Sequence, residues 1–102
     1  MASEGSENQD PELWDTRRPR LLSDAHALGK TPGVYLMKDR EGRILYIGKA
    51  TSLRQRVSSY FQLSGPTDIK TRQMLAQVDS FDSIDCEGEW EALLMESRLI
   101  KD

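Results

Sequence analysis

The chain has 102 residues, 37% hydrophobic and 30% charged, with a formal net charge of −3. That is enough for one small domain with a modest core. No run approaches the roughly 20 apolar residues of a membrane-spanning helix, and the polar, acidic N-terminus lacks the basic start and apolar centre of a signal peptide. A single cysteine, Cys86, excludes an internal disulfide, and with a single histidine, His26, the usual zinc ligand sets are excluded too. A reducing compartment is expected. The charge is unevenly placed: residues 31–72 hold eight Lys/Arg against three Asp/Glu, whereas residues 73–102 hold two against eight. A basic middle with acidic flanks suits a localised anionic ligand.

Residues 1–12 have almost nothing to bury and read as a disordered tail. Residues 13–30 read as a helical or irregular extension, with Leu21, Leu22, Ala25 and Leu28 at helical spacing predicting a short helix. Thr31-Pro32-Gly33 breaks it. Gly33 to Lys38 is a predicted strand, Asp39 to Gly42 a turn and Arg43 to Gly48 a second strand, together an antiparallel hairpin. With Lys38 facing Arg43, Tyr35 lies directly opposite Tyr46 on the same face. A one-residue slip would undo that pairing.

Ser52-x-x-Gln55 is a capping-box pattern. Leu53, Val57, Tyr60 and Phe61 follow at i, i+4, i+7 and i+8, and Arg56 sits one turn before Tyr60. Leu63 to Pro66 ends this helix. Thr67 is the expected cap of a second helix from Asp68 to Gln77, with Ile69, Met74, Leu75 and Val78 apolar. Ser80 to Cys86 alternates as a third strand. Glu89 to Lys101 is a strong helix, and its predicted inner face is Trp90, Leu93, Leu94, Ser97 and Ile100. Trp90 and Cys86 are expected in the core, and His26 is incidental. The last helix lacks a Gly or Pro stop, so the chain reads as the N-terminal piece of something longer.

Two tyrosines on a hairpin, a lysine and an arginine nearby, and a helix carboxylate, Glu96, match the needs of phosphodiester hydrolysis. These are a group to orient or deprotonate water, a cation for the phosphorane charge, and a ligand for a divalent metal. A single carboxylate with waters and phosphate oxygens suits Mg²⁺.

These residues also carry a resemblance. Gly33-Val34-Tyr35 and Tyr46-Ile47-Gly48 resemble the two halves of the GIY-YIG nuclease motif. Thr31 to Tyr35, Tyr46 to Ala50, Leu53 to Phe61, and Glu91 to Glu96 continuing through Leu99-Ile100-Lys101 together resemble the N-terminal domain of UvrC, the nuclease subunit of the bacterial UvrABC excision repair system. The likeness covers residues 31–101, with 31–102 as the nuclease domain.

It implies an α+β fold, a small three-stranded antiparallel sheet flanked by helices. It implies that Tyr35 and Tyr46 are the motif tyrosines, one of them the general base, with Tyr35 preferred. A phenol of pKa near 10 needs help to act as a base, and Lys49, the motif lysine, is the expected source. Arg56 corresponds to the arginine stabilising the pentavalent phosphate, Tyr60 to a third site tyrosine and Glu96 to the ligand of one Mg²⁺ or Mn²⁺. Gly48 and Arg54 are the positions expected to approach the DNA backbone, Gly48 by leaving room for it.

The implied activity is a metal-dependent cut in damaged DNA on the 3′ side of the lesion, in the bacterial cytoplasm, by a monomer that meets UvrB through regions outside this chain. A GIY-YIG endonuclease with another DNA substrate, or a catalytically silent module docking UvrB or DNA, are the alternatives. Three features depart from the family pattern. Tyr46 comes eleven residues after Tyr35 where ten is common, a downstream Pro-x-Tyr-Asn stretch is absent, and the extension before the motif is longer than usual.

Overall fold

The computed structural model describes residues 11–101. Its elements in chain order are α1 (Pro11–His26), β1 (Gly33–Lys38), β2 (Ile44–Ala50), α2 (Leu53–Tyr60), α3 (Ile69–Leu75), β3 (Ser80–Asp85) and α4 (Glu89–Lys101). The three strands form one antiparallel sheet in the order β2-β1-β3, so β2 is an edge. The fold class read from the sequence is the one observed. Most of the expected tail lies outside the described residues, and Pro11 and Glu12 already belong to α1.

The hairpin register differs from the expected one. Tyr35 pairs with Gly48, and Met37 pairs with Tyr46; Lys38 then pairs with Ile44 across a bulge between Met37 and Lys38. The extra residue between the tyrosines is taken up there, with two residues of one strand opposing one of the other. The loop is longer than the predicted turn because Arg43 is drawn into it. The Asp39 carboxylate accepts from the backbone N–H groups of Glu41 and Arg43, both at 2.9 Å, and Gly42 takes φ +84°. These hydrogen bonds, the Arg43 N–H first, hold the Asp39 carboxyl below the usual carboxylate range. The register moves by two, an even number, so both tyrosines stay on one face.

Each sheet face carries its own core. Tyr35, Met37, Ala50 and Phe81 pack with Leu21 and Ala25 of α1, Leu53, Val57 and Phe61 of the α2 segment, and Leu75 and Val78 around α3. Val34, Leu36, Ile47 and Ile84 pack with Cys86 and with Ala92, Met95 and Leu99 of α4. Cys86 is buried, as expected, and burial pushes its thiol pKa up.

The helix caps follow local chemistry, with one substitution. Ser52 caps α2, its side chain accepting from the Gln55 N–H at 3.5 Å. At α3 the cap is Asp68 rather than Thr67, because its carboxylate accepts from both the N–H and the hydroxyl of Thr71. Ile69 is exposed, while Met74, Leu75 and Val78 take the core positions.

Packing overturns one expectation and adds to another. The first concerns α4, where Trp90 is 71% exposed and Leu93, Leu94 and Ile100 also face outward. The helix bears two apolar stripes, and the buried one is Ala92, Met95 and Leu99, whose small alanine allows close approach to the sheet. The second concerns the extension, which is fastened to the body along its length. Leu21 and Ala25 are fully buried. Arg18 donates to the carbonyl of Phe61, the C-cap of α2, at 2.9 Å, and Arg17 donates to that of Ala76, the C-cap of α3, at 2.7 Å. Arg20 donates to the Asp79 carbonyl at 2.8 Å. Cations at helix C-termini satisfy orphan carbonyls and oppose the helix dipole. Such anchoring explains how a helix with Pro19 inside it, and hence one backbone hydrogen bond short, persists.

Candidate active site

Tyr35 stands in the central strand with only 1% of its surface exposed. Its ring lies between those of Tyr46 and Tyr60, with centroids 6.1 Å and 5.8 Å away. The Tyr35 and Tyr60 hydroxyls share a hydrogen bond of 2.7 Å. Gly48 makes this row possible. A Cβ there would fall inside contact distance of Cζ and the hydroxyl oxygen of Tyr35 and 2.9 Å from the Tyr46 ring. The motif glycine therefore clears space for a tyrosine of the same motif; this is the close approach that the observed register requires.

The tyrosines differ in character. Burial pushes the Tyr35 phenol far above its ordinary pKa of 10, the Tyr60 hydrogen bond adds to this, and the neighbouring phenols contribute further; the Arg56 charge works in the other direction. Tyr46 projects from the edge strand and is 44% exposed. Of the two motif tyrosines, Tyr46 is the one open to solvent.

Arg56 rises from α2 one turn before Tyr60 and is exposed. Lys49 lies within β2, which extends past Gly48 to Ala50, and strand alternation turns it to the face opposite Tyr46 and Gly48. It does not join the tyrosine row, and among the described residues Arg56 is the cation that acts on Tyr35. Lys49 and Arg56 instead meet in a cleft of about 410 Å³ at the end of β2, where Glu89, Trp90 and Leu93 of α4 form the far wall. From the sequence, Trp90 and Leu93 are expected on the inner face of α4 and not on a cleft wall. The signal available was the second apolar stripe of α4, which reads equally well as core.

Arg54 is directed elsewhere. Its Nε donates to the Leu28 carbonyl at 2.8 Å, tying α2 to the connection between α1 and β1. Glu96 sits one turn beyond Ala92 on the same side of α4 and is half-buried. Among the described residues its carboxylate has no hydrogen-bond or ion-pair partner, whereas Glu91 is engaged by the Glu87 N–H at 2.6 Å. No group of three or more His, Cys, Asp or Glu among the described residues forms a ready-made metal cage. One unengaged, partly desolvated carboxylate fits Mg²⁺ or Mn²⁺, which keep several waters, better than it fits zinc or calcium.

A three-stranded antiparallel sheet with a tyrosine on each of its hairpin strands, backed by a glycine and followed by an arginine-bearing helix, defines a GIY-YIG type of domain. Comparison with known proteins is specific. Residues 31–102 match the family described as the UvrC-like GIY-YIG domain, and the chain belongs to that family. It is 48% identical over 86 residues to the UvrABC system protein C of Treponema denticola, a match covering 84% of this chain and 13% of that protein. With the protein of the same name from Methanococcoides burtonii the identity is 47% over 81 residues, covering 79% of this chain and 13% of that one. The chain thus spans about an eighth of the length of these relatives.

Among solved structures it resembles the GIY-YIG N-terminal endonuclease domain of UvrC from Thermotoga maritima, bound to its catalytic divalent cation, magnesium. The TM-score is 0.70 and the identity 32%, covering 80% of this chain and 88% of that one. That domain has also been solved with single Tyr-to-Phe substitutions at three positions and with an Asn-to-Ala substitution, each bound to the catalytic divalent cation.

Proposed function

We propose that residues 31–102 form a metal-dependent DNA endonuclease domain, with α1 as its packed N-terminal support. In the longer protein to which relatives of this kind correspond, the domain would cut damaged DNA 3′ to the lesion, alongside UvrB. The observation that carries this reading is the division of labour among the tyrosines. Tyr35 and Tyr60 form a hydrogen-bonded buried pair, and Tyr46 beside them faces solvent.

This arrangement favours Tyr46, rather than Tyr35, as the group that orients the attacking water and takes its proton. A phenol that is 1% exposed and pushed well above its ordinary pKa is a poor partner for water. Tyr35 positions Tyr46 through its ring contact, and Tyr60 holds Tyr35 through its hydroxyl. Arg56 is placed to hold the charge that develops on phosphorus-bound oxygens, and Lys49, facing the same cleft, to bind a phosphate. Glu96 would hold Mg²⁺ or Mn²⁺. When bound, such an ion supplies Lewis acidity and lowers the pKa of water. Arg54 ties α2 to the connection before β1.

The test is nicking of duplex DNA by the chain in Mg²⁺, Mn²⁺ or chelator, with Arg56→Ala and Glu96→Ala. Either substitution should lower cleavage by about 10²–10³-fold without lowering the melting temperature, since Arg56 is exposed and Glu96 only half-buried. In parallel, Mn²⁺ should broaden NMR signals around Glu96 in the wild type and not in Glu96→Ala. Cleavage that persists in both variants would sink the assignment.

A further inference from the structure

We propose that the cleft between α1, α3 and the loop joining α2 to α3 binds the stretch of DNA strand that flanks the bond to be cut, with Arg72 and Arg18 contacting its phosphates. The inference rests on the endonuclease reading above and extends it to a second surface. This cleft is about 610 Å³, larger than the one beside Arg56. It begins at the tyrosine row, because Tyr60 lines it while its hydroxyl bonds Tyr35. Tyr60 thus joins the tyrosine row to this cleft, next to the helix that carries Arg56.

The lining chemistry suits a phosphodiester backbone. Among the described residues that line it the charged ones are Arg18 and Arg72 and none is a carboxylate, in contrast to the cleft walled by Glu89. Arg18 is preorganised, since one Nη is fixed on the Phe61 carbonyl at 2.9 Å and a guanidinium carries five N–H donors. Arg72 is exposed, and among the described residues its side chain makes no ion pair. Gln62 and Gln73 add neutral donors, and Leu63, 88% exposed, offers an apolar surface at the lip. Cations and amides that reach phosphates position a strand without reading its sequence. On this view α1 has a role in the reaction: it delivers Arg18 to the substrate path.

The experiment uses the full 102-residue chain and a fluorescein-labelled duplex oligonucleotide, with anisotropy recorded across a salt series and cleavage measured in Mg²⁺ and in Mn²⁺. Arg72→Glu should weaken binding by about fivefold or more. Arg72→Gln should lower the slope of log affinity against log salt by about one, and Arg72→Lys should restore it. Turnover at saturating substrate should stay at the wild-type level in Arg72→Gln, so the loss falls on KM. Affinity and salt slope equal to wild type in Arg72→Glu and Arg72→Gln would overturn the proposal. A wild-type chain that binds DNA through Arg72 yet cuts with neither metal would overturn the endonuclease reading and leave the strand-binding cleft standing.

Discussion

On one face of the sheet, Tyr35, Met37 and Phe81 are covered by three helices and their connections. On the other, among the described residues, Val34, Leu36 and Ile84 are covered by one helix, α4, together with Cys86. The first face includes fully buried residues from several elements, among them Leu21, Leu53, Val57 and Phe61. On the second, α4 contributes Ala92 as a buried residue and Met95 and Leu99 as half-buried ones. The candidate site groups are divided accordingly. The tyrosine row is set into the thick core, where rigid surroundings hold ring orientation. Glu96 rides on the thinner layer. Precise positioning is built where the burial is deep, and the expected metal ligand sits on the helix that covers the other face.

Substitutions that treat the two faces alike should expose this difference. The largest effect is expected for Phe61→Ala, which empties a fully buried site and removes a stacked partner of Phe81 at 6.0 Å. A loss of about 3–5 kcal/mol in urea or thermal unfolding is expected. Gly48→Ala comes next. It drives a methyl group into Tyr35 and Tyr46, and overpacking of this kind costs about 1–3 kcal/mol. It should also lower cleavage more than its stability loss explains, because the tyrosine row must shift. Met95→Ala, on the thinner face, should cost about 1–2 kcal/mol, at or below the low end for large-to-small core changes, because the side chain is only half-buried. If Met95→Ala proves as damaging as Phe61→Ala, the two layers are equivalent and the contrast is wrong.

Two smaller effects depend on pH. The Tyr35 pKa is raised in the folded protein, so its stabilising contribution is fully present below the ordinary value of 10 and is lost as pH rises above it. Wild type should therefore lose melting temperature above pH 10 more steeply than Tyr35→Phe. The Asp39 pKa is lowered, so its contribution is present above the ordinary value of 3.8 and is lost as pH falls through the folded value. The difference in melting temperature between wild type and Asp39→Asn should be clear at pH 7 and shrink towards zero as the carboxyl protonates. A difference that does not change with pH would show that the Asp39 hydrogen bonds are immaterial to the hairpin.

Local signals in the sequence were sufficient where one element decides its own structure. Val34, Leu36 and Met37, flanked by turn residues, specify a strand. Ser52 and Gln55 start α2, and the spacing of Leu53, Val57 and Phe61 turns that helix inward. The four motif blocks specify the family, and they pointed to the tyrosine pair, Arg56, Lys49 and Glu96 without any structure. The phase of α4 was not legible in the same way. Trp90, Leu93 and Leu94 make as good an inner stripe as Ala92, Met95 and Leu99, and hydrophobicity favours the wrong one. Close approach of helix to sheet chose the stripe with the small residue. The basic run of Arg17, Arg18 and Arg20 in an otherwise acidic extension was a visible signal for anchoring, but its acceptors are carbonyls 43 and 59 residues away.

What the chain determines by itself is therefore its secondary structure, its family and the candidate site groups, because these depend on composition and short-range spacing. What the tertiary structure decided is how those groups are placed and buried. A bulge at Met37 and Lys38 placed Tyr35 opposite Gly48, burial and the Tyr60 hydroxyl kept Tyr35 protonated, and the edge position of β2 left Tyr46 open to water. Two tyrosines of the same motif come to differ, one buried and one open, because burial and long-range hydrogen bonds exist only once the strands and helices have come together.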